Sequence, residues 1–133
     1  MLQHRDLLGM KDCAQEEITE ILDVAQNMTP IIDAPSKKSA HLTGKAVITL
    51  FYENSTRTRV SFENAAKYMS AAATNISAAS SSVAKGETLI DTGRTLDPMG
   101  ADAVILRPPL TGAAPLLSRH CPAAGINAGD GLK

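Results

Sequence analysis

Apolar and polar residues change rhythm several times along the chain, and each rhythm predicts an element. Between Asp12 and Met28, Ile18, Ile21, Leu22 and Ala25 recur at helical spacing, with Glu16, Glu17, Glu20 and Asp23 facing outward. The acids crowd the first half, where the helix dipole favours them, and Asp12 with Gln15 offers a capping pair. Pro30 to Thr43, with Pro35 and the patch Ser36-Lys37-Lys38-Ser39, reads as a solvated connector. Ala46 to Tyr52 reads as an unbroken apolar run, short, partly β-branched and not alternating, hence a strand buried on both faces. Phe62, Ala65, Ala66 and Met69 then mark one stripe of a helix that ends near Ser70.

The second half repeats the alternation. Thr74 to Ser77 is a short strand candidate, and Ala78 to Ala84 is an Ala/Ser-rich flexible loop ending in Lys85-Gly86-Glu87-Thr88. Leu89, Gly93, Leu96 and Gly100 mark a further helix face, weakened by Gly93. Ala103 to Leu106 is a second buried strand, stopped by Pro108-Pro109. A short helix from Gly112 to His120, with Pro115 in its first turns, leads to a weak strand, Gly125 to Asn127, and a turn-rich tail. Strands alternating with helices predict an α/β fold: one domain over residues 1–133, built on a parallel four-stranded sheet flanked by helices.

Chemistry concentrates at Ser55-Thr56-Arg57-Thr58-Arg59, where a strand ends and a helix begins. Free backbone N–H groups and the positive end of the dipole favour an anion there. Capping by Ser55 or Thr56 would explain one hydroxyl, not three hydroxyls and two guanidinium groups in five positions. Arg59 points about 200° from Arg57 around a helix, which assigns it to a structural ion pair. Arg107 ends the next buried strand, an equivalent position, and ligands of open parallel sheets bind beyond such ends.

Composition narrows the ligand. The net charge is −1 and tryptophan is absent, so neither bulk attraction to nucleic acid or membrane nor base stacking is expected, and any anion site is local. Cys13 and Cys121 make no disulfide framework or zinc set, and His120 beside Cys121 has no third ligand near it, so no metal is expected. Without a signal-peptide pattern, or an apolar run approaching about 18 residues, the expected location is the cytoplasm.

Taken together these residues resemble the family of aspartate and ornithine carbamoyltransferases. Phe51-Tyr52-Glu53-Asn54-Ser55-Thr56-Arg57-Thr58-Arg59 resembles its carbamoyl-phosphate signature, and Ser61-Phe62-Glu63 matches the tripeptide that follows. Ser81 to Thr88, continued by Asp91-Thr92 and Arg94-Thr95-Leu96, is similar to the family's mobile lysine loop. Arg107 matches an arginine at a strand end, and Asn127-Ala128-Gly129-Asp130-Gly131 matches the turn after the fourth strand. The resemblance implies transfer of a carbamoyl group from carbamoyl phosphate to an amine, without metal or organic cofactor. Ser55, Thr56, Arg57 and Thr58 would hold the phosphate, while Arg107 and Thr58 would reach both phosphate and carbonyl oxygen. Ser81 and Lys85 would enter the site of a neighbouring subunit, which implies a homotrimer; whether a regulatory chain also binds is left open. Lys85 favours L-aspartate over ornithine as the amine, a step of early pyrimidine biosynthesis.

The match also departs from the family. Asn54 stands where proline usually precedes the serine, and Pro108 where histidine usually follows the arginine. The family's His-Pro-x-Gln motif and its aspartate-binding domain would follow the Gly129-Asp130-Gly131 turn, and the sequence ends at Lys133. The chain is therefore expected to be the carbamoyl-phosphate half, inactive alone. A non-catalytic phosphate-binding module or assembly partner is the alternative.

Overall fold

The computed structural model describes residues 2, 4–11, 13–51, 55–77, 100–107 and 123–129. Helix α1 spans Gln15–Asp33 and α2 spans Thr56–Tyr68; the strands are β1 (Ala46–Phe51), β2 (Ala72–Ser77), β3 (Ala103–Arg107) and β4 (Ala124–Asn127). The strands form one sheet in the order β2-β1-β3-β4, with every neighbour parallel. The expected parallel α/β sheet is therefore present. Tyr52, the loop from Ala78 and the helices expected over 89–100 and 112–120 lie outside the described residues.

Burial explains why the central strands do not alternate. Ile48 and Leu50 of β1 pack with Val104, Leu106 and Ala123 on one face, while Val47 and Phe51 pack with Ile105, Ala66 and Ala71 on the other. With both faces covered, every position is under pressure to be apolar. Leu50 and Leu106 are fully buried, each contributing about 2 kcal/mol of transfer free energy. The outer edge of β4 is covered by the N-terminal segment: Leu7 donates its N–H to Gly125 O (2.8 Å) and accepts from Asn127 N–H (2.9 Å).

Helix α1 departs from its expected form at both ends and in its facing. Its N-cap is Ala14, whose N–H donates to Glu17 Oε1 at 3.1 Å; Gln15 is thus the first helical residue rather than the third, and Asp12 of the expected pair lies outside the described residues. That bond turns Glu17 inward and buries it, so the inner face runs through Glu17, Ile18, Ile21, Met28 and Ile31 while Leu22 and Ala25 are exposed. The helix also passes through Pro30 to Asp33. Proline removes one bond to the carbonyl four residues back, here that of Gln26, which lies at an exposed position open to solvent.

The segment after α1 does more than connect. Ser39 and Leu42 donate their N–H groups to Tyr68 O (2.8 Å) and Met69 O (2.9 Å), satisfying carbonyls that the end of α2 leaves without helical donors. Ser70 takes the left-handed position after α2 (φ 70°), and Ala71 N–H closes the turn on Ala66 O at 2.9 Å. The chain then enters β2 beside β1.

Candidate functional site

From β1 the chain moves to β2 on one side, then returns to place β3 on the other side of β1. The crevice at such a reversal, beyond the carboxyl ends of the two diverging strands, is where open α/β sheets bind ligands. Here those strands are β1 and β3, with Phe51 and Arg107 as register partners, about 4.8 Å apart as neighbouring strands are. The two regions singled out in the sequence thus belong to neighbouring strand ends.

The first turn of α2 holds the residues expected to face an anion. Ser55 occupies the cap position with non-helical angles (φ −121°, ψ 77°), but its hydroxyl makes no cap bond. The first helical bond runs from Arg59 N–H to Ser55 O at 3.0 Å, so the N–H groups of Arg57 and Thr58 have no helical acceptor. No acidic residue stands in this turn. Thr56 and Arg57 are exposed, and Ser55 and Thr58 half-buried. An arginine at the positive end of a helix, with no acid in the same turn, opposes the dipole's own preference. A bound anion would offset that opposition.

Arg59 is held elsewhere, as its angle around the helix implied. Its Nη1 lies 3.1 and 3.2 Å from the two carboxylate oxygens of Glu63. Glu63 Oε2 in turn lies 3.0 Å from Thr49 Oγ1, which lies 2.9 Å from Asn75 Oδ1. Thr49 and Asn75 are register partners on β1 and β2. Treating Ala46–Tyr52 as uniformly apolar passes over Thr49; a hydroxyl in a strand buried on both faces was the available signal.

Arg107 is half-buried at the end of β3, and its guanidinium lies against Gly129: a β-carbon there would stand 3.6 Å from Nη1. Gly129 has φ 123°, a conformation that favours glycine. Asn127 orders this turn, accepting from Gly129 N–H (2.9 Å) and donating through Nδ2 to Leu8 O (3.0 Å). Ala128 N–H adds a bond to Leu106 O at 2.7 Å. Ser81 and Lys85 lie outside the described residues, as do Asn54, Pro108, His120, Cys121 and Asp130. Among the described residues, no group of three His, Cys, Asp or Glu side chains is placed to hold a metal, and no helix is long and apolar enough to cross a membrane.

Comparison with known proteins follows the same residues. The sequence profile described as "Aspartate/ornithine carbamoyltransferase, carbamoyl-P binding domain" matches residues 5–133. An aspartate carbamoyltransferase catalytic subunit of Ruminiclostridium cellulolyticum is 59% identical over 131 residues, 98% of this chain and 42% of that protein. The solved catalytic subunit of M. jannaschii aspartate transcarbamoylase superposes with a TM-score of 0.86 at 45% identity, covering 96% of this chain and 42% of that one. Aspartate transcarbamoylase from Trypanosoma cruzi, solved in complex with phosphate, superposes with a TM-score of 0.83 at 31% identity, covering 95% and 39%. The chain thus spans about two fifths of the length of these relatives.

Proposed function

The chain belongs to the aspartate/ornithine carbamoyltransferase family, through its carbamoyl-phosphate-binding domain, and from that premise we propose that it supplies the carbamoyl-phosphate half of an aspartate carbamoyltransferase. The observation that carries this reading is the first turn of α2: an exposed arginine, an uncapping serine and no acid, beyond the strand whose end pairs with Arg107. In the reaction, the amine of L-aspartate attacks the carbonyl carbon of carbamoyl phosphate, the tetrahedral intermediate collapses, and phosphate leaves with the electrons of the broken C–O bond. Ser55, Thr56, Arg57 and Thr58 hold the phosphate through side chains and backbone N–H groups. Thr58 and Arg107 reach the carbonyl oxygen as it becomes negative, where loss of one donor costs about 3 kcal/mol of barrier.

Ser81 and Lys85 complete the site from a neighbouring subunit, which makes the working unit a homotrimer, and the product belongs to cytoplasmic pyrimidine synthesis. Groups that grip aspartate belong to the part of a full-length enzyme not matched by these residues. The 133-residue chain alone is expected to bind carbamoyl phosphate without turning it over. Calorimetric titration with carbamoyl phosphate, beside an assay for carbamoylaspartate, tests both halves of the proposal. Binding without turnover is the expected result; no binding, or robust product from the chain alone, contradicts it.

A further inference from the structure

Thr49 is the single polar side chain of β1 and is fully buried. In a strand covered on both faces, valine would fill the same volume without a hydroxyl to satisfy. The hydroxyl has one proton but two close oxygens, Glu63 Oε2 and Asn75 Oδ1, and cannot donate to both. Glu63 already accepts from Arg59 and, as a carboxylate, has no proton to give. The arrangement closes when Thr49 donates to Glu63 and the Asn75 amide is turned, so that its N–H donates to Thr49. Donation then runs in one direction, from Asn75 to Thr49 to Glu63, with Arg59 donating to the same carboxylate.

We propose that these four side chains form one hydrogen-bonded bolt that positions the first turn of α2, making Thr49, Asn75 and Glu63 positioning residues for the phosphate cradle. The inference rests on the function proposed above. Two observations carry it. First, the backbone N–H of Arg59 closes on Ser55 O the turn containing Thr56, Arg57 and Thr58, while its side chain ends the bolt. The cradle is therefore tied to two strands through one residue. Second, an arginine preceding a glutamate by four is the weaker order for a helical ion pair, so the pair alone fixes little. Its anchorage to buried Thr49 is what makes it directional. The bolt also occupies Arg59, leaving Arg57 as the guanidinium that α2's first turn offers to the anion.

The test compares Thr49→Val, which keeps shape and loses the hydroxyl, with Thr49→Ser, which keeps the hydroxyl, in the 133-residue chain. Amide hydrogen exchange along α2 is read first, and titration with inorganic phosphate second. Thr49→Val is expected to lower protection at Arg59 and Val60 about tenfold relative to Ala66 and Lys67, and to weaken phosphate about tenfold. Thr49→Ser is expected to restore both. A uniform change along α2, or no change, overturns the bolt. If Thr49→Val does not fold, Glu63→Gln replaces it and must show the same local loss. If the unsubstituted chain binds no phosphate, the anion site is wrong, while the exchange pattern still decides whether the bolt exists.

Discussion

The two described helices differ in a way their apolar patterns do not suggest. Helix α1 is the longer and carries the more regular apolar stripe, yet Leu22, Val24 and Ile32 are exposed (63%, 46% and 53%) and Glu17 is its buried residue. Helix α2, whose sequence TRTRVSFENAAKY is largely polar, buries Ala66 and half-buries Phe62 against the sheet. Connection accounts for the difference. A helix joining two adjacent parallel strands must lie across the sheet it connects, and α2 joins β1 to β2. A stripe states that a helix has an apolar face; topology decides what covers it. Polar anchoring at Thr49 then adds direction to that packing.

The sharpest way to break this comparison is a pair of leucine truncations. Leu50→Ala, at a fully buried position, should destabilise by about 3 kcal/mol, whereas Leu22→Ala should stay within about 0.5 kcal/mol. Thermal unfolding measures both, and equal losses would show that α1 is as tightly packed as the sheet. Next in size is Glu63→Ala, expected to cost about 2 kcal/mol by leaving Thr49 and Arg59 without their shared acceptor. A change near zero in urea unfolding would mean that water takes over for the carboxylate.

Gly129→Ala should cost about 1 kcal/mol, since the added β-carbon meets Arg107 only at ordinary contact distance and the penalty is the backbone's positive φ. A several-fold larger loss would imply that the turn cannot yield without displacing Arg107. Smallest for stability is Arg57→Ala, expected within about 0.5 kcal/mol because the side chain is exposed. Its effect on phosphate affinity should nevertheless be about a hundredfold, as for loss of a charge-assisted contact.

Much of this was legible in the sequence, for specific reasons. The runs Ala46 to Tyr52 and Ala103 to Leu106 announced the strands observed at Ala46–Phe51 and Ala103–Arg107, because a strand covered on both faces needs a continuous apolar run. Ser55–Arg59 could be placed at a helix start because strand and helix rhythms meet there, and the Arg59 ion pair followed from helical angle alone. Strand order was not legible, since no residue in β1 specifies whether β2 or β3 lies on a given side. That order is what makes the ends of β1 and β3 neighbours. Thr49 was hidden inside its apolar run, and Asn75 gained meaning only through the register that sets it beside Thr49. The facing of α1 was misjudged by one position because Glu17, an acid, turned inward to bond Ala14.

The central claim is that the start of α2 and the end of β3 form one phosphate site. Titrating the isotopically labelled chain with inorganic phosphate, and following its amide resonances, tests this most directly. The account predicts saturable shifts concentrated at Ser55 to Thr58, Arg107 and Ala128–Gly129, abolished by Arg57→Ala. Shifts absent, scattered over the surface lysines or unaffected by Arg57→Ala would contradict it.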